Sequence, residues 1–146
     1  MKVKALVIDD SRVMRNMVMQ SLIKSRLAEF EFVEAEDGAV ALGKFNPDEI
    51  DIAFVDWNMP NMTGIEFVRQ VRARGDNAHI PLVMVTSEKT MGKIEEALDA
   101  AGASAYVCKP FTPDELTHKL HKIFEGMEAR HQPQAQSGGL LGRLFG

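Results

Sequence analysis

A single cysteine, Cys108, excludes an internal disulfide and a thiolate cage around a metal, and it fits a reducing compartment, so a cytoplasmic location is expected. No apolar run approaches the ~20 residues needed to cross a bilayer, so no transmembrane segment is expected. The opening MKVKALVIDD reaches acidic residues at once and has no cleavage-site pattern, which gives no secretory signal. Positive charge is in deficit. Seventeen Lys plus Arg stand against 21 Asp plus Glu, a net charge of −4, which argues against direct binding of DNA or RNA. Hydrophobic residues at 45% and charged residues at 26% are ordinary for a globular chain, so disordered and fibrous classes do not fit. The 146 residues suit one compact domain.

Short apolar runs alternate with amphipathic stretches. Val3 to Ile8, Phe30 to Ala35, Ile50 to Val55, Ile80 to Val85 and Ala105 to Cys108 have strand length and β-branched or aromatic content. Several are nearly continuous, as strands buried on both faces are. Between them the period becomes helical. Met91, Ile94, Leu98 and Ala101 share a face, as do Leu116, Leu120, Ile123 and Phe124. Ser11, Asp37 and Thr112 stand where N-caps are useful, the last followed by Pro113, and Gly102 is placed to stop the fourth helix. The pattern predicts an α/β fold of five βα units, with a parallel sheet and right-handed crossovers. After Met127 the apolar periodicity ends. Residues 128–139 read as a flexible linker and 140–146 as a short apolar tail. Leu140, Leu141, Leu144 and Phe145 form either a frayed end or a peptide that docks on a partner.

The polar residues that follow each run carry the chemistry. Asp9 and Asp10 follow the first strand, Asp56 and Asn58 the third, Thr86 and Ser87 the fourth, Lys109 and Pro110 the fifth. In a parallel sheet these ends share one edge, where open α/β folds bind ligands. Three carboxylates gathered there repel unless a cation joins them, and hard oxygen donors suit Mg²⁺. A carboxylate, a hydroxyl, an ammonium and Mg²⁺ together form a phosphoryl site. Asp56 ends the central run and is the expected nucleophile, with Asp9 and Asp10 better suited to metal.

With these residues placed, VIDDS, VDWNMPNMTG, VTSE and AYVCKPF resemble the phosphoacceptor receiver domains of two-component signalling, above all the stand-alone chemotaxis type. The likeness spans about residues 3–126. It implies a flavodoxin-like three-layer (βα)5 sandwich with strand order 2-1-3-4-5 and a receiver over residues 1–127. It implies Asp56 as the phosphoacceptor and Asp10, Asp56 and the Asn58 backbone carbonyl on Mg²⁺, with Asp9 acting mainly through a metal-bound water. Thr86 and Lys109 would contact the phosphoryl oxygens, Thr86 and Tyr106 would form the switch, and Asn58 and Glu88 would govern water access. The Lys109–Pro110 bond would be cis. The implied partners are a sensor histidine kinase and a downstream target such as a flagellar switch or other motility component. Contacts would come from the fourth helix, fifth strand and fifth helix, with Lys89, Lys93, Lys119 and Lys122 as candidates. The protein would catalyse only its own phosphorylation and dephosphorylation.

Plainer readings stand beside these. Tyr106 alone is a strand aromatic of the core, and His118 and His121 are a solvated pair on the last helix. Cys108 reads as a buried strand residue, and Arg69, Arg72 and Arg74 as a solvated basic face. A phosphorelay intermediate or phosphate sink would share the same site. A haloacid-dehalogenase-like phosphohydrolase also uses a strand-end Asp and Mg²⁺, but it needs a second acid where this chain has Asn58.

Overall fold

The computed structural model describes residues 1–75, 77 and 79–131. Strands β1 (Lys2–Ile8), β2 (Glu29–Ala35), β3 (Ile52–Val55), β4 (Leu82–Thr86) and β5 (Ala105–Cys108) alternate with helices α1 (Arg12–Ser25), α2 (Gly38–Lys44), α3 (Gly64–Ala73), α4 (Met91–Glu95) and α5 (Pro113–His131). The five strands form one sheet in the order β2-β1-β3-β4-β5, and every pairing is parallel. This is the expected topology.

Side chains that alternate along the strands divide the core in two. Leu6, Ile8, Ala53, Val55, Leu82 and Met84 face α2, α3 and the end of the fourth helix through Ala41, Phe67, Val68, Val71 and Ala97. Val3, Ala5, Val7, Ile52, Phe54, Val83 and Val85 face α1 and α5 through Val18, Leu22, Leu116, Leu120 and Phe124. Each fully buried aliphatic or aromatic side chain contributes roughly 1.5–3 kcal/mol. Both faces of β3 and β4 are covered, which accounts for their unbroken apolar runs.

The caps fall as the sequence indicates. Ser11 and Asp37 accept from the amides of Met14 and Val40, and Thr112 and Glu115 exchange side-chain-to-backbone bonds at the start of α5. Gly102, at φ 93°, ends the fourth helix. Two expectations are corrected. The fourth helix widens after Glu95 into a π-helical segment, Glu96–Ala101. The wider turn shifts the angular spacing, and Met91 stands 69% exposed instead of sharing the inward face of Ala101. Helix α5 also runs on to His131, past the point where the linker is expected to begin. The rest of that segment and the tail (132–146) lie outside the described residues.

Arg72 is a third correction. It is partly buried rather than solvated, and its guanidinium donates to the carbonyls of Gly102, Asn77 and Ile80 and to the Ser104 hydroxyl. It ties the end of α3 to the segments that lead into β4 and β5, at the pole of the sheet opposite the strand ends that carry the acids.

Candidate functional site

The carboxyl ends of β1, β3, β4 and β5 bring Asp9, Asp56, Thr86 and Lys109 to one sheet edge. Asp9, Asp56 and Thr86 are buried, whereas Asp10 is exposed. One carboxylate oxygen each from Asp9, Asp10 and Asp56 lies within 4.8 Å of the others. The Lys109 ammonium sits 2.7 Å from Asp9 Oδ2 and 3.6 Å from Asp56 Oδ1. The Lys109–Pro110 bond is cis.

Asp56 is held in a fixed plane. Its Oδ1 accepts from the Trp57 amide at 2.8 Å. Burial pushes its carboxyl above the usual 3.8, and the nearby Asp9 charge adds to this, while Lys109, the Trp57 amide and the Thr86 hydroxyl pull it down. Gly64 makes the placement possible. Its amide donates to the Trp57 carbonyl at 3.0 Å, and any Cβ at this position would collide with the Asp56 carbonyl oxygen.

Three carboxylates against one ammonium leave an excess of negative charge that a divalent cation would balance. Such donors, with one exposed carboxylate left to take up an ion and its waters, fit a hard metal. Asp9 is the most fully engaged of the three. Its Oδ1 accepts from the Ser11 amide at 2.9 Å and its Oδ2 from Lys109.

Glu88 joins this pocket to the outer surface. Its amide donates to Thr86 Oγ1 at 3.3 Å, its carbonyl accepts from the Tyr106 hydroxyl at 2.7 Å, and its carboxylate accepts from Asn58 Nδ2 at 2.7 Å. Tyr106 is only 6% exposed, and burial pushes its phenol up to about 12. The Tyr106 ring, expected to form the switch with Thr86, is already inside in this structure.

Sequence reasoning missed Trp57. The Lys93 ammonium lies 4.6 Å from the centre of its ring, so Lys93 rests on Trp57. The cue was adjacency to Asp56, but nothing in the sequence pairs position 57 with 93. Cys108 is half-buried rather than buried. His118 and His121 are exposed as expected, with His121 3.0 Å from Glu125.

A doubly wound parallel sheet that gathers a buried aspartate, an acidic pair, a threonine and a lysine at its strand ends defines a receiver-type domain. The chain belongs to the response regulator receiver domain family, whose model matches residues 5–121. It is 42% identical over 125 residues to the chemotaxis protein CheY of Pseudomonas aeruginosa, covering 84% of this chain and 96% of that protein. It is 39% identical to CheY-3 of Vibrio cholerae, over 84% of this chain and 92% of that one. Among solved structures, the chemotaxis response regulator CheY4 of Vibrio cholerae superposes with a TM-score of 0.71 at 36% identity, covering 84% and 99% of the two chains. No helix among the described residues is long and apolar enough to cross a membrane.

Proposed function

We propose that this protein is a phosphorylation-activated switch of the chemotaxis type, which takes a phosphoryl group on Asp56 from a sensor histidine kinase. An Asp56 oxygen attacks phosphorus, a P–O bond forms, and the P–N bond of the phosphohistidine breaks with its electron pair returning to the imidazole. Lys109 and the Thr86 hydroxyl receive the phosphoryl oxygens, and the Trp57 amide keeps the attacking carboxylate in plane. Asp10, Asp56 and the Asn58 carbonyl would hold Mg²⁺, with Asp9 acting through a coordinated water, and a cation there would neutralise charge on the transferring group. The product adds nearly −2 of charge at the strand ends.

Glu88 carries this reading. It is bonded at once to Thr86 in the pocket, to Asn58 beside the acid and to Tyr106 on β5. A pull on Thr86 therefore reaches Tyr106 and the surface of α4, β5 and α5, where a motility component is the proposed target. The Asn58 amide cannot give and retake a proton as a phosphohydrolase's acid must. The protein therefore turns over only its own phosphoryl group. The apolar tail, residues 140–146, is assigned to docking on a partner; deleting residues 137–146 should change partner affinity and leave phosphotransfer intact.

Acetyl phosphate with Mg²⁺ should label Asp56, mapped by mass spectrometry, and Asp56→Asn should abolish the label. Labelling elsewhere in the unaltered protein, or retained labelling at position 56 in the variant, would overturn the assignment.

A further inference from the structure

The acid pair has a second hold, from outside the strand ends. Arg15 on α1 donates from Nη1 to the Asp9 main-chain carbonyl at 2.6 Å and from Nε to Glu34 Oε1 at 2.8 Å. Its side chain is 14% exposed against 44% for Glu34. Lys44 backs this arrangement by donating to the Glu34 carbonyl at 2.6 Å. The Asp9 amide in turn donates to the Ala35 carbonyl at 3.1 Å.

The Asp9 carbonyl and the Asp10 amide belong to one rigid peptide plane. Asp9 has its carboxylate fixed by Ser11 and Lys109, but Asp10 is exposed and makes no side-chain hydrogen bond among the described residues. The plane that Arg15 clamps therefore fixes the amide nitrogen and Cα from which the Asp10 side chain leaves. We infer that Arg15 is a positioning residue for the divalent cation, aiming the Asp10 carboxylate at Asp9 and Asp56, with Glu34 as its support. This rests on the reading that Asp10 and Asp56 hold the ion, with Asp9 beside them acting through its water.

Two effects of the guanidinium oppose each other. As a tether it favours metal binding by removing freedom from Asp10, whereas as a positive charge it repels the ion. The contact with Glu34 cancels most of the charge at a distance, so the tether dominates.

Calorimetric titration of the full chain with Mg²⁺ tests this. Arg15→Met keeps the stem and removes the fork, and it should weaken Mg²⁺ binding about tenfold, the low end for groups that orient metal ligands. Its thermal midpoint without metal should stay close to that of the unaltered protein. Arg15→Lys keeps the charge but cannot serve both acceptors, so it should not restore affinity. Glu34→Gln, a milder change that leaves Arg15 in place, should weaken binding at least twofold, because it both loosens the tether and unmasks the charge. Unchanged or tighter Mg²⁺ binding in a folded Arg15→Met protein overturns the inference. If that variant does not fold, unchanged binding in Glu34→Gln overturns it. Absence of saturable Mg²⁺ binding in the unaltered protein would remove the metal reading itself, and the role of Arg15 with it.

Discussion

Lys109 and Asp9, 100 positions apart in the chain, are joined by a 2.7 Å charge-assisted hydrogen bond. Their strands are not neighbours, since β3 and β4 lie between β1 and β5. The lysine therefore reaches across the strand ends and passes Asp56 at 3.6 Å on the way. Both partners are mostly out of water, at 14% and 5% side-chain exposure, so the contact is screened little by salt.

Replacing Lys109 with Met should leave the three carboxylates without their ammonium. Phosphoryl uptake from acetyl phosphate should fall at least tenfold, about 1.4 kcal/mol in the barrier. Stopped-flow or discontinuous labelling at fixed Mg²⁺ measures this, and uptake within twofold of the unaltered protein would contradict the assigned role. Lys109→Arg keeps the charge, so it should retain part of the uptake and lose phosphorylation-dependent partner binding, which a titration with the target measures.

Stability should vary with pH through Asp56. Burial raises its folded pKa above 3.8, so the native state binds more protons than the unfolded chain across that interval. The contribution of this group is full below 3.8 and declines as pH rises through the folded value. Asp56→Asn removes the decline. In chelator, urea unfolding should show the variant gaining on the unaltered protein between pH 4 and pH 7.5, and Mg²⁺ should narrow the difference at the higher pH.

Asn58 and Glu88 meet through a 2.7 Å side-chain bond beside Asp56. A leucine at position 88 offers no hydrogen bond to an incoming water and covers its approach. Glu88→Leu should slow loss of the phosphoryl group several-fold, on the order of 1 kcal/mol. A decay rate equal to that of the unaltered protein would show that water does not enter on this side.

The chain has one tryptophan, so emission excited selectively from tryptophan reports on Trp57 alone. Lys93→Met removes the cation held 4.6 Å from the ring centre and keeps the aliphatic stem. The emission maximum or yield should change, and Lys93→Arg should keep it near the original because a guanidinium makes the same contact. Emission unaffected by Lys93→Met would mean that the ammonium does not rest on the ring in solution.

The sequence made the strand ends legible because each polar group follows an apolar run directly. Asp9, Asp56, Thr86 and Lys109 fall together for that reason alone. Contacts between surface helices and loops were not legible. Arg72 reads as one basic residue among three until the fold shows four acceptors converging on it. Arg15 likewise looks like a solvated helical cation, because only the register of β1 beside β2 brings Glu34 and the Asp9 carbonyl to it. The π-helical segment was hidden too. Met91, Ile94, Leu98 and Ala101 keep helical spacing in sequence, whereas in the widened segment it is Ala97 and Ala101 that are buried in the core.

Gly64 bears on how such a protein is disarmed. A receiver is usually silenced at its nucleophile, and the substitute residue then remains in the pocket as a near copy of what it replaced. An alanine at position 64 would act from behind. No space separates the α3 backbone from the Asp56 carbonyl, so a single methyl group must move the third strand or the helix. A Gly64→Ala chain would keep every acid, hydroxyl and ammonium of the site and still present them at the wrong distances. For anyone building circuits from such parts, it would be an off-state that an inventory of functional side chains does not reveal.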